Sequence, residues 1–276
     1  MTWRELGTVA PSELSQARLQ LHWAAQLVSA PGTSLLPAAG DYAQTNLGWD
    51  AELGVMTGRN AGPASMQAAL VFEALELLVL DGGHERASMR LAGHTLEQAL
   101  AWLGQEISGE GQALALPVHE MPPYAAGEGG VFSDAGMEAR AELSAWFANS
   151  FGLIRDAVAD YPDAALVRCW PHHFDVASLL TLDSRVGAEE ARSIGVGFSP
   201  GDGSYDQPYF YVTPWPYPDA NSLPPLTGGA HWHTEGWTGA VLTGEQLISA
   251  PPAEQQRAAR RALDRAVAAC REILGA

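Results

Sequence analysis

The chain has 276 residues, 47% of them apolar and 17% charged, enough hydrophobic material for one large or two modest domains and unlike a disordered polymer. A net charge of −17 repels phosphate backbones and anionic membranes, and no apolar run has the length of a membrane span, so the reading is no nucleic acid, no membrane and a cytoplasmic location. All fifteen basic residues are arginine, which removes Schiff-base chemistry, covalently held pyridoxal phosphate and the P-loop lysine; Cys169 and Cys270 are too few for a disulfide framework or a cysteine zinc cluster.

In chain order, a loose entry segment ends at Pro11, and Ser12 is placed to cap a helix. Leu14, Ala17, Leu21, Ala24, Ala25 and Val28 recur at helical spacing, with Pro31-Gly32 as the stop and His22 as a partly exposed helix residue. Short strands are expected near 47–56, then over 67–72, 74–80 and 86–91, with Asp81-Gly82-Gly83 as a hairpin turn. Thr95-Leu96-Glu97-Gln98 has capping-box form and opens a helix with Leu96, Leu100 and Leu103 on one side, ending near 108–109.

Residues 109–133, with Pro122-Pro123 and the glycines from Gly127 to Gly130, read as a Pro/Gly-rich connector. It makes 1–120 and 134–276 candidate lobes of a single structural unit. Asp134 then opens a long helix striped by Leu143, Phe147, Phe151, Ile154 and Val158. Strands follow at 166–170, 176–182, 192–198 and 208–213. Pro214, Pro216 and Pro218, interleaved with Trp215 and Tyr217, form an extended segment unsuited to a central strand. A strand from 231 towards 242 and a helix over 253–274 complete the chain. Strands followed by a helix occur in both halves, so the expected class is α+β, largely antiparallel sheet with outer helices and two similar lobes.

Four of the eight histidines fall in two short stretches, Trp170-Pro171-His172-His173-Phe174-Asp175 and His231-Trp232-His233-Thr234-Glu235-Gly236-Trp237. On one continuous strand His231, His233 and Glu235 share a face with Cβ atoms roughly 6–7 Å apart, a spacing from which two imidazoles and a carboxylate can ligate a divalent metal such as zinc, iron or manganese. The same residues equally fit a hydrogen-bonded polar network in an aromatic core. In the other stretch, alternation sends His173 and Asp175 one way and Trp170, His172 and Phe174 the other. Acid–base chemistry needs only a carboxylate beside an imidazole, and Asp175 with His172 or His173, and Glu235 with His233, are the pairs to consider. Trp170, Tyr209, Tyr211, Trp215, Trp232 and Trp237, with His172, could wall a pocket for a planar or apolar ligand, although such aromatics also serve as ordinary sheet packing. His84, His94 and His119 read as surface residues.

The order of Val167-Arg168-Cys169-Trp170-Pro171-His172-His173-Phe174-Asp175, Ser193-Ile194-Gly195-Val196-Gly197-Phe198-Ser199-Pro200-Gly201-Asp202, Pro208-Tyr209-Phe210-Tyr211 and His231-Trp232-His233 resembles an uncharacterised bacterial family. It is also distantly similar to a broader bacterial domain of unknown function with these segments in the same order. The resemblance implies one evolutionary unit across both halves and a soluble bacterial protein; it carries no activity with it. Three functions are consistent with the residues. One is a small-molecule enzyme in which His231, His233 and Glu235 are ligands and His173, Asp175 or Glu235 do acid–base work. The others are a non-catalytic small-molecule-binding protein and a structural protein with a His/aromatic core. The oligomeric state stays open.

Overall fold

Period-two alternation dominates both halves of the sequence, and the chain satisfies it with two antiparallel sheets. The computed structural model describes residues 2–108, 113–183 and 191–276; the opening of the connector, 109–112, lies outside the described residues. The helices are α1 (Ser15–Leu35), α2 (Leu96–Ser108), α3 (Met137–Val158), α4 (Gly244–Ile248) and α5 (Pro252–Leu274). The strands are β1 (Gly48–Asp50), β2 (Val55–Ala61), β3 (Met66–Val71), β4 (Glu76–Asp81), β5 (His84–Arg90), β6 (Arg168–Trp170), β7 (Asp175–Thr181), β8 (Ser193–Ser199), β9 (Tyr209–Trp215), β10 (His231–His233) and β11 (Gly239–Thr243). The class is α+β with antiparallel sheets.

The chain forms two compact units. The N-terminal unit comprises Glu13–Ser144 and Cys169–Phe174; the C-terminal unit comprises Met1–Ser12, Ala145–Arg168 and Asp175–Ala276. The chain passes from one to the other inside α3, and the described part of the connector belongs to the N-terminal unit.

In the N-terminal unit β1 to β5 form a meander in sequence order. The apolar stripe of α1 is buried against β2 and β3. A Cβ at Gly58 would lie 2.3 Å from the Val28 carbonyl oxygen, so only glycine lets helix and strand come this close. β4 and β5 close through Gly82 and Gly83, both in the left-handed region (φ 54° and 84°), with Asp81 opposite His84. The Thr95 capping box forms with both reciprocal bonds, Thr95 N–H to Gln98 Oε1 at 2.9 Å and Gln98 N–H to Thr95 Oγ1 at 3.2 Å.

Three local expectations are corrected here. Residues Pro11–Glu13 form a 3-10 turn, and α1 starts at Ser15 with no side-chain cap. Pro31-Gly32 does not end α1, because near its last turn the missing donor costs a single intrahelical bond and the helix runs on to Leu35. His22 is buried, 7% exposed, rather than at the surface.

The C-terminal unit holds the strands β10-β11-β9-β8-β7, in that order across the sheet. Its apolar face carries Val176, Leu180, Ile194, Val196, Phe198, Phe210 and Val212, all buried. Trp146 of α3 stacks on Phe198 (centroids 5.8 Å apart), Phe147 meets the same ring edge-on, and α5 lies along β9 and β8. The helical stripe expected from Leu143 to Val158 is buried throughout, although α3 starts at Met137 and not Asp134. β9 contains Pro214 despite lying between β8 and β11, against the sequence expectation. Its pairing with β11 begins only at Val212, so the prolyl nitrogen owes no donor on that side. Among the described residues no helix is long and apolar enough to cross a membrane.

Candidate functional site

The second face of the C-terminal sheet is polar and aromatic, and strand register explains why. One cross-strand row reads Ala177, Gly197, Tyr211, Val241, His231. The neighbouring positions on that face are Asp175, Ser199, Tyr209 and His233. Gly197 gives this face its depth, since a Cβ there would sit 2.2 Å from Cζ of Tyr211. The Tyr211 ring therefore lies down across β8 and its hydroxyl donates to Asp175 Oδ2 at 2.5 Å. Tyr209 similarly donates to Asp202 Oδ2 at 2.6 Å. Burial first, then the adjacent carboxylates, push both phenols well above the ordinary tyrosine value. These two tyrosines are fixed donors and not acids.

Asp202 also shapes the loop before β9. Its Oδ1 accepts from the backbone of Ser204 (2.8 Å) and Tyr205 (3.2 Å), an Asx turn that aims Tyr205 at β10. The Tyr205 hydroxyl lies 3.1 Å from His231 Nε2 and 3.1 Å from His233 Nδ1. His233 Nε2 is in turn 2.8 Å from the Glu235 carbonyl oxygen.

Donor and acceptor counting fixes the direction of this array. A carbonyl only accepts, so His233 Nε2 carries the proton and, in the neutral ring, Nδ1 accepts from Tyr205. Tyr205 has one proton to give, so its oxygen accepts from His231 Nε2–H. The order is His231 to Tyr205 to His233 to the Glu235 carbonyl. His231 is exposed, and partial burial together with His233 holds its pKa below the usual histidine value, so its remaining Nδ1 lone pair is available at neutral pH. The His233 ring lies 4.3 Å from Trp237, whose indole N–H donates to Ser204 Oγ at 3.2 Å. Burial raises the Tyr205 pKa, reinforced by Asp202 and Glu235, which keeps the bridging hydroxyl protonated.

Several expected roles change. The stretch from 231 towards 242 is a hairpin and not one strand: His231, Trp232 and His233 pair with Val241, Ala240 and Gly239, and Gly236 (φ 82°) turns the chain between them. Glu235 therefore lies past the end of β10, and its carbonyl accepts from His233 Nε2. Among the described residues no group of three or more His, Cys, Asp or Glu is arranged to hold a metal ion. Trp232 points to the opposite face from the two histidines and donates to the Pro224 carbonyl at 2.7 Å. Asp175 Oδ2 accepts from the Tyr211 hydroxyl.

Trp170, His172 and His173 belong to the N-terminal unit, whereas Asp175, Tyr209, Tyr211, His231, His233 and Trp237 belong to the C-terminal unit. β6 stops at Trp170, so the alternation expected for 170–175 gives way to a turn with both histidines exposed and Phe174 buried at φ 56°. His119 is half-buried rather than a surface residue, its ring centroid 6.0 Å from that of His172.

Sequence reasoning missed Tyr205, Asp202 and His119. Asp202-Gly203-Ser204 carried an Asx-turn signal, but nothing local connects Tyr205 with histidines 26 and 28 positions away. Compared with known protein families, with curated proteins and with solved structures, the chain matches none.

Proposed function

We propose that the chain is an enzyme that moves a proton on a small molecule bound against the polar face of the C-terminal sheet. The observation that carries this reading is the Tyr205 hydroxyl placed at 3.1 Å from each of two imidazoles, with the far end of the array closed on the Glu235 carbonyl. His231 Nδ1 takes the proton from the substrate. Its Nε2 proton passes to the Tyr205 oxygen as Tyr205 passes its own to His233 Nδ1. The products are a substrate anion, a His231 protonated on Nδ1 and an imidazolium at His233. That imidazolium lies against the Trp237 ring and donates to a carbonyl, both of which favour the positive charge. Trp237, Tyr209 and Tyr211 supply a wall suited to a planar or apolar body.

The test pairs ligand discovery with turnover. Compounds that raise the thermal midpoint are incubated with wild-type protein and with Tyr205→Phe, and their consumption is followed by mass spectrometry. The expected result is a compound bound by both proteins whose turnover falls about 10²–10⁴-fold in the variant, the range for losing a positioned acid–base group. Ligands that bind both and are consumed by neither would overturn the enzyme reading in favour of a binding protein. That second reading draws support from Tyr209 and Tyr211, whose carboxylate-held hydroxyls orient and do not react.

A further inference from the structure

The N-terminal unit carries a second polar cluster that the proton-transfer reading does not use. Its base is the excursion Cys169–Phe174, tied down almost atom by atom. Cys169 and Leu47 exchange both backbone bonds at 2.9 Å. The Trp170 carbonyl accepts from the backbone of His173 (3.2 Å) and Phe174 (2.7 Å). The Pro171 carbonyl accepts from His22 Nε2 and Gln26 Nε2, each at 2.8 Å. Phe174 is a bulky residue in the left-handed region (φ 56°), a strained conformation that persists only where the surroundings over-determine it. Here its ring is buried and stacked on His22 at 5.2 Å.

This anchoring presents His172 and His173 to solvent with ring centroids 4.2 Å apart. His119 stands 6.0 Å and Trp170 6.3 Å from His172. Among the described residues the ring nitrogens of His172 and His173 and the indole nitrogen of Trp170 make no hydrogen bond, and Nε2 of His119 is buried without a partner. Four rings able to present N–H groups thus gather, with no carboxylate bonded to any of them among the described residues. The groups acting on His22, His119 and His172 are chiefly the cluster's own histidines, with Arg18 of α1 acting on His22; Glu120, next to His119 in the chain, is exposed. In a chain of net charge −17, such a patch is unusual.

We propose that His119, His172, His173 and Trp170 form a binding site for a small oxyanion, the carboxylate or phosphate-type group of a metabolite. The imidazoles turn N–H groups towards the anion, the indole adds a fourth donor, and the anion's charge draws further protons onto the imidazoles. Binding therefore takes up protons and strengthens as pH falls. Burial, and after it mutual repulsion, hold His119 and His172 below the usual histidine value in the empty site, which agrees with proton uptake on binding.

The probe is inorganic sulfate, which keeps the same charge across this range, titrated calorimetrically at about pH 5.5 and about pH 7.5 in buffers of different ionisation enthalpy, with acetate as a second probe. We expect sulfate or acetate to bind about tenfold or more tightly at the lower pH, with net proton uptake, and to be lost in the His172→Gln/His173→Gln double variant. Both residues are exposed, so the variant should keep the wild-type thermal midpoint at neutral pH, and that is measured alongside. No binding of either anion at either pH, or binding that the double variant retains, overturns the proposal.

Discussion

Replacing Arg140 by methionine should destabilise the protein by about 3–5 kcal/mol, the range seen when a buried, multiply bonded charged group is removed. Arg140 is completely buried near the start of α3. Its Nε donates to the Glu73 carbonyl at 3.1 Å, Nη1 to Gln20 Oε1 at 3.0 Å and the Ala135 carbonyl at 2.5 Å, and Nη2 to the Asp134 carbonyl at 3.3 Å. Gln20 passes the network on to the Ser133 carbonyl at 2.6 Å. One guanidinium thus joins α1, the turn between β3 and β4, and the first turn of α3. Methionine fills much of the space but leaves four acceptors without a donor, which is worse than removing both sides of each bond. Denaturant unfolding of wild type and Arg140→Met measures the difference. A loss under about 1 kcal/mol would mean that the network relaxes around the gap.

The second large effect is a dependence of stability on pH, and it resides in His22. Burial drives its pKa from 6.5 to about 4, against a smaller opposing effect from the Pro171 carbonyl that accepts its Nε2 proton. The neutral ring is therefore the folded form. Between about pH 6.5 and about pH 4 the unfolded chain binds the proton and the folded chain does not, so stability falls as pH falls. The contribution is complete above the unfolded value and gone below the folded one. A displacement of this size corresponds to about 3 kcal/mol. His22→Gln keeps a neutral donor near the Pro171 carbonyl and cannot titrate. Unfolding free energies across the window should fall more steeply for wild type than for the variant by that amount. Equal slopes would place the acid sensitivity elsewhere, for instance in His172, whose exposed ring is better screened by solvent.

The parts of the fold legible in the sequence are those fixed within a few residues. Gly82-Gly83 between apolar strands could hardly be anything but a tight hairpin, and Thr95 with Gln98 closes its own box. The stripe of α3 and the period-two spacing that puts His231 and His233 on one face of β10 are local in the same sense. Errors arose where tertiary packing outweighed a local rule. Pro31 sits inside α1, and Pro214 sits in β9 where β11 no longer pairs with it. Gly236 was the available sign that the 231–242 stretch turns back on itself, which puts Glu235 past the end of β10 and not on one continuous strand with His231 and His233. The bridging role of Tyr205 and the meeting of His119 with His172 depend on chain segments far apart in sequence, and nothing local reports them.

The proton array is tested most directly by long-range nitrogen–proton NMR correlation of histidine-labelled protein at neutral pH, assigned with His231 and His233 variants. Both rings should carry a proton on Nε2, as donation from His231 to Tyr205 and from His233 to the Glu235 carbonyl requires. In Tyr205→Phe, His231 loses the oxygen that accepts its Nε2 proton and should become a mixture of tautomers, while His233 stays fixed by Glu235. A His233 protonated on Nδ1 in the wild type, or a His231 unaffected by the loss of the hydroxyl, would contradict the array and the chemistry built on it.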